Sequence, residues 1–229
     1  MKRGKYMNQI DKNDVPAEKQ LKTDTPLFYE NKDGKGIRIL FVGNSITLHG
    51  YKADIGWYGV NYGMAASSKE KDYVHLVMRE IKKKDDDAAC AICQASQWEL
   101  NYKDCDDVLY KYDEIRDFDA DIMIMRIVEN CPTQNFDSEK FFENYKKLID
   151  YINPNGKARV ILTTGFWKHP GDDEIIRVGK ERDYDTIYLG ELGEDESMKA
   201  IGLFEHGGVA NHPGDKGMRA IADLILEKL

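Results

Sequence analysis

The chain has 229 residues, of which 41 are acidic and 33 basic, so its net charge is −8, and 41% of its residues are hydrophobic. This length suffices for the core of one domain, and the sequence contains no apolar run of about 18 residues that would span a membrane. Charges of both signs are mixed along the chain without a basic patch, which excludes nucleic acid and anionic lipid as partners and indicates a soluble globular protein.

The start of the chain lacks the apolar segment of a secretory signal, and residues 1–25 are polar without sustained periodicity. We therefore expect a tail or arm over residues 1–25, a single domain over residues 26–229, and a cytoplasmic location. The four cysteines are too few for a disulfide scaffold. Cys90 and Cys93 lie three residues apart on a predicted strand and so point to opposite faces, which predicts buried free thiols rather than a metal site.

Five short apolar runs predict strands. In chain order they cover residues 37–42, 88–93, 120–128, 159–164 and 186–189. Apolar residues at helical spacing predict three helices. The first extends to residue 81 and follows a segment at 67–70 that resembles a capping box, and the others cover 137–152 and 215–228. Residues 98–112 have a looser helical pattern. Near-continuous apolar strands separated by amphipathic helices are typical of a parallel sheet covered on both faces. The sequence thus predicts a flavodoxin-like, three-layer α/β/α sandwich around a mostly parallel five-stranded sheet.

In such sheets ligands bind at the carboxyl ends of the strands, so the residues that follow each strand are the candidates for function. These segments are Gly43-Asn44-Ser45, Gln94-Ala95-Ser96-Gln97, Glu129-Asn130-Cys131 and Gly165-Phe166-Trp167-Lys168-His169, and Asn211-His212-Pro213 precedes the last helix. A serine, an asparagine and a histidine therefore converge on one edge of the sheet. Acyl transfer needs a hydroxyl beside a base and fixed donors for the oxyanion, and these three residue types supply both.

Three blocks of the sequence resemble the SGNH hydrolase superfamily of GDSL-like lipases and esterases. The blocks are residues 39–47, with Asn44 in place of the Asp of Gly-Asp-Ser, residues 126–130, and residues 212–222. They occur in the family's order and span the chain from residue 37 to residue 228. The resemblance implies that Ser45 is the nucleophile and His212 its general base. It also implies that the Asn130 side-chain amide and the Ser45 backbone N–H are oxyanion donors.

The sequence departs from the family's pattern at two positions. Val209 stands where the family places an Asp three residues before the His, so the group that orients His212 is left open. A backbone carbonyl, for example that of Val209, is the favoured partner, and the Glu205 carboxylate is the alternative. The second block lacks the family's glycine, and the backbone N–H of Ser96 is the expected third oxyanion donor.

Four further residues are candidates for substrate binding. The rings of Trp98 and Trp167 either pack in the core and rim or offer a surface on which a sugar stacks. Glu99 and Arg126 form a candidate ion pair beside the pocket, since buried charges need partners. No histidine or cysteine has the spacing of a metal site, and no cofactor motif is present.

The sequence therefore predicts a serine ester hydrolase that cleaves short acyl esters, acetyl esters above all, through an acyl-enzyme on Ser45. The absence of a long apolar lid and the polar, aromatic loops favour a carbohydrate or another polar alcohol as the esterified partner. The alternative is a non-catalytic carbohydrate-binding protein that keeps the fold, because the loss of the family's Asp removes a group that supports catalysis. A nucleotide-binding function is disfavoured because the turn after the first strand lacks a glycine-rich phosphate loop.

Overall fold

A computed structural model describes residues 27–229, so the predicted tail over residues 1–25 lies outside the described residues. The strands are β1 (Leu27–Glu30), β2 (Arg38–Gly43), β3 (Ala89–Gln94), β4 (Ile122–Arg126), β5 (Arg159–Thr163) and β6 (Asp185–Ile187). They form one sheet in the order β1-β3-β2-β4-β5-β6. Strands β2 to β6 pair in parallel, whereas β1 pairs antiparallel with β3. The predicted α/β fold with a mostly parallel sheet is confirmed.

The predicted number of five strands is wrong, because the described residues contain a sixth strand, β1, at the edge of the sheet. All four residues of β1 are half-buried, and Leu27 lies opposite Cys93 of β3. An edge strand is not enclosed on both faces, so it does not need the continuous apolar run by which the other strands are recognised. This explains why the segment Leu-Phe-Tyr-Glu gives a weak strand signal.

Helices cover both faces of the sheet. They are α1 (Tyr73–Lys82), α2 (Ser96–Leu100), α3 (Asp106–Leu109), α4 (Asp113–Arg116), α5 (Ser138–Ile152), α6 (Asp172–Arg182), α7 (Gly207–Ala210) and α8 (Asp215–Leu226). Helices α1 and α8 pack with Ile39 and Phe41 of β2 on one face. The segment with α2 to α4, together with α5 and α6, packs with Leu40 and Val42 on the other face. Alternate residues of β2 therefore enter two separate cores, as a central parallel strand requires.

Two of the four longer helices differ from the sequence prediction. Helix α1 does not begin at the possible capping box of residues 67–70, because Asp72 caps it by accepting a hydrogen bond from the His75 N–H at 2.8 Å. Residues 69–71 form a separate 3₁₀ turn. Helix α6 is not predicted at all, since its buried stripe is thin and includes a glycine, Gly179. The other long helices, α5 and α8, agree with the prediction to within about two residues.

Cys90 and Cys93 are buried free thiols, as predicted. All four cysteines are buried and free, and Cys90 and Cys93 enter opposite cores.

Over residues 27–229 no group of three His, Cys, Asp or Glu side chains is arranged to hold a metal ion. None of the described helices is long and apolar enough to cross a membrane.

Candidate active site

Ser45 lies in a tight turn at the carboxyl end of β2, in the middle of the sheet. The backbone N–H groups of Thr47 and Leu48 both donate to the Asn44 carbonyl at 2.9 Å, and the Met64 N–H donates to the Ser45 carbonyl at 2.8 Å. Gly43 is required before this turn, because a Cβ atom there would lie 1.7 Å from the Thr47 hydroxyl oxygen. The turn thus holds the Ser45 side chain at the strand edge where ligands of such sheets bind.

His212, in the segment between α7 and α8, lies directly beside Ser45. The Ser45 Oγ atom is 2.8 Å from His212 Nε2. On the other side of the ring, His212 Nδ1 is 2.7 Å from the carbonyl oxygen of Gly208 in α7. A carbonyl only accepts hydrogen bonds, so Nδ1 carries the hydrogen and Nε2 is left to accept one from the serine hydroxyl. The two side chains form a serine–histidine pair in the tautomer that proton transfer from Ser45 requires.

The group that orients His212 is a backbone carbonyl, but it is not the one named from the sequence. The Val209 carbonyl accepts a hydrogen bond from the backbone N–H of His212 at 2.9 Å, so it serves the main chain. Gly208, one residue earlier, supplies the oxygen that meets the imidazole. Glu205 is exposed, and the two ring nitrogens of His212 meet Ser45 and Gly208 instead, so the expectation that Glu205 orients the ring is wrong. Helical geometry explains the difference, since an i to i+4 spacing brings residue 208 under residue 212.

Burial keeps the His212 imidazole neutral. It lowers the pKa of His212 from the ordinary value of 6.5 to about 4, and the hydrogen bond to the Gly208 carbonyl offsets this only in part. A carboxylate partner would stabilise the charged ring more strongly than a carbonyl dipole does. His212 is therefore an unprotonated base at neutral pH.

The residues that carry the three predicted oxyanion donors all line one cavity, but one of the donors is already engaged. The cavity measures about 330 Å³ and is lined by Ser45, Asn130, Ser96 and His212 among others. The backbone N–H of Ser45 donates to no protein group within residues 27–229. The Ser96 N–H donates to the side-chain oxygen of Gln94 at 3.1 Å. Ser96 is therefore not available as the third donor that the sequence suggested.

Asn130 follows β4 and is held by Glu99. Its Nδ2 atom donates to Glu99 Oε2 at 2.6 Å, and the Val128 backbone N–H donates to Glu99 Oε1 at 2.7 Å. A charged carboxylate only accepts, so the Asn130 amide presents its nitrogen rather than its oxygen to Glu99. An amide nitrogen carries two hydrogens, and the second is left to donate to an oxyanion.

A buried charge network lies beneath the turn that carries Ser45. Arg126, at the end of β4, is fully buried and donates from Nη1 to Glu129 Oε1 at 2.6 Å. Its Nη2 donates to the side-chain oxygen of Asn44. The Asn44 amide nitrogen donates in turn to Glu99 at 2.9 Å and to Glu129 at 2.6 Å. Asn44 thus joins the guanidinium to both carboxylates beside the nucleophile.

The two carboxylates of this network have opposite pKa shifts. Burial and the neighbouring charge of Glu129 raise the pKa of Glu99 to about 7. Burial also disfavours the charged form of Glu129, but the Arg126 guanidinium outweighs it, and the pKa of Glu129 is lowered. A single guanidinium compensates one buried carboxylate. Glu129 therefore carries the charge, and Glu99 takes up a proton near neutral pH.

Three of the four candidate substrate-binding residues are fully buried and do not line the pocket. Trp98 is fully buried and packs against Phe141, with ring centroids 5.8 Å apart, so it belongs to the core. Glu99 and Arg126 are both fully buried, and Arg126 pairs with Glu129 rather than with Glu99. For these three residues the expectation of substrate contact is wrong.

Trp167 is half-buried beside the histidine. Its ring meets that of His212 edge to face, with centroids 5.4 Å apart and an angle of 85° between the planes. It therefore covers one side of the imidazole.

The sequence did not identify Glu129 and Asn44 as parts of the site, although both lie in the strand-end segments. A strand-end position does not reveal whether a side chain points into the protein or into the pocket.

The fold is similar to that of solved esterases. A two-domain esterase active on acetylated mannans has a TM-score of 0.52 at 20% identity, over 86% of this chain and 50% of that one. A family two carbohydrate esterase from Cellvibrio japonicus has a TM-score of 0.55 at 14% identity, over 85% and 60%. A psychrotrophic esterase from Pseudoalteromonas sp. has a TM-score of 0.53 at 13% identity, over 84% and 96%.

The chain therefore spans half of the mannan esterase, 60% of the Cellvibrio enzyme and nearly all of the Pseudoalteromonas enzyme. No family model matches the sequence, and no curated protein sequence is similar to it. At these identities the likeness is one of fold. It supports the α/β sandwich fold that the sequence predicted.

Proposed function

We propose that this protein is a serine carboxylic ester hydrolase that removes short acyl groups, acetyl above all, from a carbohydrate or another polar alcohol. The observation that carries the proposal is the contact of Ser45 Oγ with His212 Nε2 at 2.8 Å, with the opposite ring nitrogen fixed by a carbonyl. A hydroxyl in contact with a neutral imidazole is an activated nucleophile. Ser45 follows the carboxyl end of a central strand, the edge at which ligands of parallel sheets bind, and this position supports the proposal.

In the first half of the reaction, Ser45 Oγ attacks the ester carbonyl carbon while its proton passes to His212 Nε2. The negative charge moves to the carbonyl oxygen, where the Ser45 N–H and the second Asn130 N–H donate to it. When the tetrahedral intermediate collapses, the carbon–oxygen bond to the alcohol breaks. His212 then gives its proton to the departing oxygen, and an acyl-enzyme remains on Ser45.

Water completes the cycle. It attacks the acyl carbon, His212 takes one of its protons, and the same two donors hold the second oxyanion. Collapse releases the carboxylic acid and returns the proton to Ser45. His212 is positively charged in each transition state, and the Gly208 carbonyl dipole stabilises this charge where a triad would use a carboxylate.

Hydrolysis of p-nitrophenyl acetate by the purified protein tests this function. We expect turnover by the wild type and a loss of at least about 1,000-fold in Ser45→Ala, since removing a nucleophile has effects of this size or larger. Ser96→Ala is the matched control, because it removes another hydroxyl of the same cavity, and it should stay within about threefold of the wild type.

Covalent labelling provides a second readout. An alkyl phosphonate ester should add one phosphonyl group to the wild type, on the Ser45 peptide, and none to Ser45→Ala, as measured by mass spectrometry. Turnover that is equal in the wild type and in Ser45→Ala would contradict the proposal. No turnover and no labelling in either protein would favour a non-catalytic carbohydrate-binding protein instead.

A further inference from the structure

A second cavity adjoins the one that holds Ser45. It measures about 400 Å³, within the range of about 300–1,000 Å³ that is usual for small-molecule sites. Ile55 and His206 line both cavities, so the two cavities are direct neighbours. Neither Ser45 nor His212 lines the second cavity, so a group bound there leaves the space beside the serine free.

The walls of this second cavity are two loops that are fixed to each other. The loop of residues 49–62 folds back on itself through bridges between His49 and Tyr62 and between Lys52 and Trp57. The Trp57 side chain is buried, and its ring lies 6.1 Å from that of Phe204 in the loop that leads to His212. One wall therefore comes from the loop after the nucleophile and the other from the loop before the base.

The lining combines an exposed ring with unpaired carboxylates. Tyr58 is 68% exposed, and its ring lies 5.9 Å from that of Tyr51, which is itself 61% exposed. Asp54 and Glu205 stand on opposite walls, and neither forms an ion pair with any residue of 27–229. The lining residues include no lysine or arginine.

His206 adds one hydrogen-bond donor. Its Nδ1 atom accepts from the Val209 backbone N–H at 3.4 Å, so the ring hydrogen is on Nε2. That N–H donates to no group in the described part of the chain. Two acceptors, one donor and an exposed aromatic face are the groups that recognise a ring bearing several hydroxyls, whose CH face stacks on the aromatic ring.

We propose that this cavity binds the alcohol part of the ester, and that this part is an uncharged sugar ring. The inference rests on the proposed function, since it concerns the same site. Tyr58 stacks against the sugar, Asp54 and Glu205 accept hydrogen bonds from its hydroxyls, and His206 donates one. The two unpaired carboxylates repel a sugar that carries a carboxylate or a phosphate, because like charges in a partly desolvated cleft destabilise binding.

Three substrates distinguish an effect on binding in the second cavity from an effect on catalysis by Ser45 and His212. They are p-nitrophenyl acetate, acetylated manno-oligosaccharides as neutral sugar esters, and acetylated oligogalacturonates as anionic ones. We expect Tyr58→Ala to raise KM for the neutral sugar ester about tenfold and to leave p-nitrophenyl acetate within about twofold. Tyr110→Ala, which removes an equally bulky tyrosine that is 55% exposed elsewhere on the surface, should change neither value.

A double variant tests the role of the two carboxylates. The wild type should have a kcat/KM for the neutral sugar ester at least about tenfold above that for the anionic one. In the double variant Asp54→Asn, Glu205→Gln this ratio should fall to about threefold or less. Equal rates on the two sugar esters in the wild type, or a Tyr58→Ala effect that is the same on all three substrates, would overturn the proposal.

A binding measurement distinguishes failure of the inference from failure of the proposed function. Mannopentaose, which bears no ester, is titrated calorimetrically into Ser45→Ala and into Ser45→Ala, Tyr58→Ala. Binding to the first that weakens at least about tenfold in the second supports the sugar cavity even if p-nitrophenyl acetate is not hydrolysed. Absence of binding to Ser45→Ala, or equal binding to both, overturns the cavity even if the hydrolysis is confirmed.

Discussion

The imidazole of His212 is oriented by the backbone carbonyl of Gly208, at 2.7 Å from Nδ1, where a catalytic triad would present a carboxylate side chain. This leaves a base whose pKa burial lowers to about 4. Below its pKa the ring is protonated and cannot accept the serine proton. We therefore expect kcat/KM for p-nitrophenyl acetate to persist well below pH 6 and to fall to half only near pH 4.

The measurement is a pH profile of kcat/KM between pH 3.5 and pH 8, with circular dichroism at each pH as a control for folding. The control matters because a histidine with a lowered folded-state pKa contributes stability above its unfolded value of 6.5, and this stability is lost as the pH falls toward 4. A main acidic limb centred near pH 6.5 that persists in Glu99→Gln, in a protein that remains folded, would contradict the orientation by a carbonyl in a buried site.

Trp167 covers one side of the same ring, with centroids 5.4 Å apart. Trp167→Ala admits water to the imidazole and relieves the desolvation that lowers its pKa. We expect the acidic limb of the profile to move upward by about one pH unit, toward the ordinary histidine value. Trp167→Phe keeps an aromatic cover and should move it by less than half as much. If the acidic limb of both variants has the same midpoint as that of the wild type, Trp167 does not contribute to the lowered pKa of His212.

Glu99 holds the Asn130 amide, so it acts as a positioning residue. In Glu99→Gln an amide nitrogen replaces the oxygen that Asn130 Nδ2 meets at 2.6 Å, or the two amides rotate and Asn130 turns its oxygen toward the pocket. Losing an oxyanion donor costs about 100- to 1,000-fold in kcat. We expect kcat to fall by about 10- to 100-fold with KM within about threefold, whereas Glu139→Gln, at an exposed glutamate, should change neither.

The titration of Glu99 provides a readout that a merely structural role would not change. Its pKa is raised to about 7, and only the charged form is restricted to accepting hydrogen bonds from Asn130. We expect a second, smaller rise in wild-type activity as the pH increases through about 7, and no such rise in Glu99→Gln. A step near pH 7 that persists in Glu99→Gln would show that another group titrates there.

Arg126 compensates the buried carboxylate of Glu129 at 2.6 Å. Arg126→Met leaves that carboxylate without its partner in a site that excludes water, a change that typically costs about 3–5 kcal/mol. We expect the free energy of unfolding to fall by this amount in urea titrations. Arg177→Met, which breaks an exposed pair with Glu139, should cost no more than about 1 kcal/mol. Similar losses in the two variants would mean that the buried pair is no more important to stability than a surface one.

Much of the fold could be predicted from the sequence because local patterns record which side of each element faces the core. The continuous apolar residues of β2 and β4 indicated strands buried on both faces, and the stripes of α5 and α8 indicated their inner sides. These elements lead to the strand-end segments that hold Ser45 and Asn130, and the three sequence blocks pointed to His212. The half-buried β1 and the thin stripe of α6 gave weak patterns and were missed.

The tertiary structure decided which of these side chains meet. Asn44 contacts Glu99 at a separation of 55 residues, and Ser45 contacts His212 at a separation of 167. Arg126 pairs with Glu129 rather than with Glu99, and the buried Glu99 carboxylate binds the Asn130 amide. Local periodicity carries no information about such long-range contacts, since they depend on how strands align and on which charges burial forces to pair. For the same reason, the sequence did not identify the Gly208 carbonyl as the group that replaces the missing acid. That carbonyl meets the ring of His212 because the turn of α7 lies beneath it.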